Sequence, residues 1–257
     1  MSGTCSNCSN LTLACNGTLL VGLASDGSDN NSLSLQVWEV QTGKPILMSH
    51  QIKCCVFALS ADTNSIFMAG NQRFGRGISV GILDLVSNEL TKEIKSDPTI
   101  SFGDNPESIV VTPDERHAVV GCRSLSGTNF IVFDITKSTE IAQTRSIALD
   151  AEPKCNLSLN NTEVVTGTRG GHLIQWNIHS CAPTFTYEDP ADLQAHRSSI
   201  NQISISSDHE FIVSAGNDCM AKIWSTRTKM LVSILAGHRA EVGIFNTFFS
   251  NYKPGGN

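Results

Sequence analysis

The sequence predicts an all-β fold made of repeated four-stranded units, on the strength of three observations. Short apolar segments alternate with polar turns, no long amphipathic helical pattern interrupts them, and one strand grammar returns five times. In each copy a first apolar strand meets a polar turn, a second ends in small residues, and a third ends on a large apolar side chain.

The grammar is clearest near the C-terminus. Ile200 to Ser206 alternates as a half-buried strand, SDHE turns the chain, and Phe211 to Gly216 reads as a buried strand. Asn217-Asp218 turns it again, AKIW reaches Trp224, and Lys229 to Leu235 supplies a fourth strand before Gly237-His238. The same order fits the earlier chain. LTLA, LLVGLAS and LSLQVW end at Trp38; CCVFALS, SIFMAG and ISVGIL at Leu83; SIVVT, HAVVGC and NFIVF at Phe133; KCNLSL, EVVTGT and GHLIQW at Trp176. The third-strand ends at 38, 83, 133, 176 and 224 are 45, 50, 43 and 48 residues apart, near the roughly 40 to 45 of a four-stranded repeat. Polar insertions at Asp26 to Ser32 and Asn71 to Gly77 fall between second and third strands, where loops absorb length.

Composition narrows the function. With 40% hydrophobic and 16% charged residues the chain has material for a core and lacks the signature of disorder. A net charge of −6 disfavours a phosphate backbone as partner. The short runs Arg73-Phe74-Gly75-Arg76 and Arg169-Gly170-Gly171 read as loop contacts to protein rather than as RNA-binding segments. No apolar run reaches bilayer length and MSGTCSNCSN is no signal peptide, so the expected location is the cytoplasm, with the nucleus as the other open compartment. Nine scattered cysteines then read as free thiols, and the sequons at Asn10 and Asn156 carry little weight.

On these residues the chain resembles the WD40 family, whose repeats open on Gly-His and close their third strand on Trp-Asp. The resemblance covers roughly residues 10 to 250 and implies a WD40-like β-propeller of about five blades plus the start of a sixth. It also implies a hydrogen-bonded tetrad in the last full unit: His196 after Ala195, Ser214 on the second strand, Asp218 in the next turn, and Trp224. The chemistry suits that arrangement, since a carboxylate and a hydroxyl can each meet one imidazole nitrogen while the hydroxyl oxygen accepts the indole N–H. The closing dipeptides are Trp38-Glu39, Leu83-Asp84, Phe133-Asp134, Trp176-Asn177 and Trp224-Ser225, so no unit carries a literal Trp-Asp and one complete tetrad is expected.

The domain reading is a flexible segment at 1–9, the repeat region at 10–250 and a tail at 251–257. A further strand candidate, Val242 to Phe249, begins a sixth blade before YKPGGN. Too few residues precede the first strand to complete that blade, so the expectation is a fragment or short isoform of a longer propeller, with open strand edges prone to association.

Candidate chemistry is sparse. His196, Ser214 and Asp218 could pass for a hydrolytic triad, but a nucleophile on a buried strand has no elbow or oxyanion site, and their spacing follows the repeat. Cys5 and Cys8 form one Cys-x-x-Cys pair where structural zinc needs four ligands, and the remaining histidines, read as loop or surface residues, show no ligand spacing. Neither a P-loop nor a dinucleotide fingerprint occurs, so no metal or cofactor is assigned. The resulting expectation is a non-enzymatic scaffold that binds other proteins, with Asp26, Asp29, Arg73, Arg76 and Arg227 as candidate contacts. Two narrower readings stay open. Trp224-Ser225-Thr226-Arg227 resembles the box by which substrate receptors of cullin-type ubiquitin ligases reach their adaptor, and such repeats also follow NACHT domains in regulatory sensors.

Overall fold

A computed structural model describes residues 8–25, 33–49, 53–71, 77–96, 105–123, 128–136, 139–145, 152–238, 240 and 242. The described residues form no α-helix; one 3₁₀ turn at Cys15–Gly17 joins the first two strands. The strands build five four-stranded antiparallel sheets of the propeller-blade type, each a meander in chain order.

Blade 1 comprises β1 (Cys8–Ala14), β2 (Leu19–Ser25), β3 (Leu33–Glu39) and β4 (Pro45–Ser49). Blade 2 comprises β5 (Lys53–Leu59), β6 (Ser65–Asn71), β7 (Ile78–Asp84) and β8 (Glu89–Lys95). Blade 3 comprises β9 (Asn105–Val111), β10 (His117–Arg123), β11 (Thr128–Asp134) and β12 (Thr139–Arg145). These three lie in a compact unit spanning Met1–Arg145. A second unit, Ser146–Asn257, holds blade 4, with β13 (Pro153–Ser158), β14 (Glu163–Thr168), β15 (Leu173–Asn177) and β16 (Ala182–Tyr187). It also holds blade 5, with β17 (Ile200–Ile205), β18 (Phe211–Gly216), β19 (Ala221–Ser225) and β20 (Leu231–Leu235).

The repeat holds to the residue. Trp38, Leu83, Phe133, Trp176 and Trp224 are each penultimate in their third strand, and each marks a β-bulge against the fourth. The bulge inserts one residue on the outer strand and adds local twist. The next residue turns the chain. Asp84 Oδ1 accepts from the N–H groups of Val86 (2.9 Å) and Ser87 (2.6 Å), Asp134 Oδ1 from Thr136 N–H (2.9 Å), and Asn177 Oδ1 from the N–H groups of His179 and Ser180 (both 3.0 Å). Ser225 Oγ accepts from Thr228 N–H at 3.1 Å. The departures from Trp-Asp thus keep an oxygen where the turn needs an acceptor.

The first hairpins of blades 2, 3 and 5 share a second device. Ser60, Thr112 and Ser206 donate their hydroxyls to Asp62, Asp114 and Asp208, and the following Thr63, Glu115 and His209 take left-handed φ of 61°, 54° and 60°. Lys229, expected to open the fourth strand of blade 5, instead sits in the turn with φ of 62°, its N–H on Ser225 O at 2.9 Å, so the strand begins at Leu231. β1 begins at Cys8, two residues inside the 1–9 segment. Of the sixth-blade candidate only Val242 is described, with its N–H on Gly216 O at 3.3 Å; the rest and the 251–257 tail lie outside the described residues.

Within each unit blades pack face to face in one sense. The face bearing the closing residue meets the opposite face of the preceding blade. Ile66, Met68 and Leu83 of blade 2 pack on Val21, Leu23, Leu35 and Val37 of blade 1. Ala118, Val120 and Phe133 of blade 3 pack on Phe67, Ala69 and Val80 of blade 2. In the second unit Ile212 and Trp224 pack on Val165, Leu173 and Tyr187. Interdigitated aliphatic faces of this kind are the main source of stability in stacked sheets.

Candidate functional site

The densest group of polar side chains in the described residues surrounds Trp224. Ser214 lies on β18 and Trp224 on β19, while the β16–β17 loop and the β18–β19 turn deliver His196 and Asp218. Trp224 Nε1–H donates to Ser214 Oγ at 2.8 Å, and Ser214 Oγ is 2.7 Å from His196 Nε2. His196 Nδ1 is 3.0 and 2.9 Å from the two oxygens of Asp218. All donors are satisfied if Nδ1 carries the imidazole proton and the Ser214 hydroxyl points at Nε2. The relay then runs in one direction, from indole to carboxylate.

The whole group is desolvated: His196, Ser214 and Trp224 are 0% exposed and the Asp218 side chain 5%. Burial holds the His196 imidazole below its ordinary pKa against the opposing pull of the Asp218 carboxylate, which favours the neutral ring that the relay requires. Asp218 also accepts from the N–H groups of Arg197 (3.1 Å) and Met220 (3.2 Å), tying loop and turn together. Gly216 and Gly171 make room. A Cβ on Gly216 would stand 2.8 Å from His196 Nδ1, and one on Gly171, with φ of 85°, 2.2 Å from His196 O.

Equivalent positions explain why the relay belongs to blade 5. Where Ser214 stands, blades 1, 2 and 3 have Gly22, Met68 and Val120, which carry no hydroxyl. Blade 4 has Thr166, whose hydroxyl donates to Asn156 Oδ1 at 2.8 Å.

Beside the relay lies an ionic cluster that sequence reasoning missed. Lys222 is fully buried, with Nζ 2.6 Å from Asp189 Oδ2 and 3.6 Å from Asp192 Oδ2. Asp192 is held in turn by Arg197, Nη2 to Oδ1 at 2.7 Å and Nε to Oδ1 at 2.8 Å. The Lys222 hydrogen bond lowers the Asp189 pKa, and Arg197 lowers that of Asp192. From the β19–β20 turn Lys229 reaches the adjoining blade, where its Nζ donates to Gln175 Oε1 at 2.6 Å and Tyr187 Oη–H donates to the same oxygen at 3.1 Å, while the Tyr187 ring meets Trp224 edge-on at 5.9 Å. The only advance signal was the acidic segment EDPAD ahead of His196, with no indication of its partner.

Arg227 stands exposed in the β19–β20 turn, while Trp224 at the end of β19 is buried. Asp26, Asp29, Arg73 and Arg76 lie outside the described residues, as do Cys5 and His50. Of the other histidines, His179 and His209 occupy turns, whereas His117 opens β10 and is half-buried, a correction to its reading as a loop or surface residue that follows from its pairing with Asp134. Cys15, Cys155, Cys181 and Cys219 are outside any disulfide, and burial pushes the Cys155 thiol up to about 12. Among the described residues no group of histidine, cysteine and carboxylate side chains has metal-binding geometry, and no helix is long and apolar enough to cross a membrane.

Comparison with known proteins matches this same region. The family model described as "WD domain, G-beta repeat" matches residues 188–225, from the acidic loop to the end of β19. The serine/threonine-protein kinase VPS15 of Arabidopsis thaliana is 54% identical over 37 residues, which is 14% of this chain and 2% of that protein's length. With the matched sequence, the relay and the shared blade register together, residues 188–225 form a WD40 repeat, and the described residues are all-β, built as five four-stranded blades of the β-propeller type.

Proposed function

We propose that this chain is a non-enzymatic scaffold that binds other proteins through the turns and loops of its blades, in the cytoplasm. The observation that carries the reading is the state of the catalytic-looking set among the described residues. His196, Ser214 and Asp218 are sealed from solvent, and the Ser214 hydroxyl is committed on both sides to Trp224 and His196. A nucleophile so placed meets no substrate. Hairpin turns such as Arg227-Thr228, by contrast, are exposed and stand on rigid strands. The kinase named in the plant relative is not transferred, because the match covers one repeat.

Exposed Arg227 beside buried Trp224 also favours a narrower reading, a substrate receptor of a cullin-type ligase whose adaptor contacts that arginine. The NACHT-sensor reading has no comparable observation behind it. Affinity purification of the full chain from its own cells, followed by mass spectrometry, tests the scaffold role. The expected result is a stoichiometric partner that is lost or weakened on neutralising Arg227, Arg73 and Arg76 or Asp26 and Asp29. Recovery of chaperones alone argues against the role, and absence of a ligase adaptor removes the narrower reading.

A further inference from the structure

Asn16-Gly17 is the single Asn-Gly pair of the chain, and it forms the turn between β1 and β2. Both residues are left-handed, Asn16 at φ 55° and ψ 33° and Gly17 at φ 83°. Asn16 is exposed, and among the described residues its carboxamide has no hydrogen-bond partner. Other turn asparagines are committed: Asn64 Nδ2 donates to Asp62 at 3.1 Å, and Asn160 Oδ1 accepts from the N–H groups of Thr162 (2.8 Å) and Glu163 (2.9 Å). A Cβ on Gly17 would meet nothing within 4 Å, so neither a side chain nor a neighbour screens the nitrogen that follows Asn16. Asn88 in the β7–β8 turn matches Asn16 in every respect but one. It is exposed, left-handed at φ 58° and without a side-chain partner among the described residues, yet Glu89 follows it.

We propose that Asn16 is a site of spontaneous deamidation and isomerisation, with water as co-reactant, and that the change loosens the tie between blades 1 and 2. The turn is closed by Thr18 N–H on Cys15 O at 3.2 Å, and exposed hairpin tips of this kind open locally. Once open, Asn16 leaves ψ 33° and the Gly17 nitrogen attacks Asn16 Cγ. The new C–N bond forms as Cγ–Nδ2 breaks, and ammonia departs with the Gly17 amide proton. Water then opens the succinimide at either carbonyl, giving aspartate or isoaspartate with its carboxyl ionised. Two bonds join this turn to the β5–β6 turn of blade 2: Cys15 N–H donates to Thr63 O at 3.1 Å and Asn16 N–H to Thr63 Oγ1 at 3.4 Å. The new carboxylate enters ground that is already negative, since burial and then the charges of Asp62 and Asp84 raise the Cys15 thiol. Isoaspartate also adds a methylene to the main chain, which shifts the Asn16 N–H and Cys15 N–H donors relative to Thr63.

The test holds the full folded chain in mildly alkaline buffer and follows it by peptide mass spectrometry, with fragmentation that separates aspartate from isoaspartate. Position 16 should convert at least about tenfold faster than Asn88, and both isomers should form. Glu89→Gly, which gives the β7–β8 turn the same dipeptide, should bring Asn88 to within about threefold of Asn16. Hydrogen exchange reads the consequence: in an Asn16→Asp chain the Cys15 amide should exchange at least about threefold faster, while the amides of β10 in blade 3 stay unchanged. Equal conversion at positions 16 and 88, or no response of Asn88 to Glu89→Gly, overturns the site. Unaltered exchange at Cys15 overturns the loosening of the blades.

Discussion

Blades 3 and 5 place their closing residues in the same register and bury both completely, yet they are held by different chemistry. In blade 3 Phe133 lies over Val120 and Ile131, an apolar set that needs nothing further. In blade 5 those three positions hold Trp224, Ser214 and Lys222. The indole brings an N–H that must be satisfied, the serine that satisfies it needs an acceptor, and histidine and aspartate follow in turn. Lys222, where blade 3 has Ile131, makes the same demand and recruits Asp189 from 33 residues away. One polar choice at a buried position thus propagates through a network, whereas the apolar choice ends with itself.

The largest effect that should break this symmetry is Asp189→Ala. It strands a buried ammonium with a carboxylate 3.6 Å away, and the expected loss is about 3–5 kcal/mol, read from urea unfolding. Combining it with Lys222→Ile, the blade 3 solution, should recover most of that loss; no recovery means the cavity was never suited to a hydrocarbon. Next, Trp224→Phe should cost about 1–3 kcal/mol, and a cycle with Ser214→Ala should show coupling of about 0.5–3 kcal/mol. Additive losses would mean that the two side chains act separately.

Acidification should distinguish the blades again. The folded-state pKa of His196 lies below its ordinary 6.5, so the unfolded chain binds its proton first. The stabilising contribution is complete above pH about 6.5 and is lost as pH falls below that value toward the folded pKa. Melting temperature should therefore be flat above pH about 6.5 and decline below it, with a shallower decline in a His196→Gln chain. Asp189 and Asp192, also depressed, add their losses only at lower pH, as they protonate. The smallest effect is expected at Arg227, where Ala should leave stability within about 0.5 kcal/mol while weakening partner capture.

Much of the architecture was legible because blade grammar is local. Trp38, Leu83, Phe133, Trp176 and Trp224 could be aligned by eye, and each proved penultimate in its strand. The role of the following residue was less legible, since Glu39, Asp84, Asp134, Asn177 and Ser225 differ as letters and share only a side-chain oxygen. The relay residues were legible through resemblance to a repeat whose spacing they follow. Lys222 was not. Its strand AKIWS alternates in no way that distinguishes a buried lysine from a solvated one.

The sequence by itself determined the class, the repeat, the strand order and the turn positions, because period-two alternation and turn chemistry act between residues close along the chain. Only the tertiary structure decided which faces are covered and which charges are buried. Those outcomes depend on what a distant loop or neighbouring blade brings to the same place: Asp189 to Lys222 and Tyr187 to Trp224.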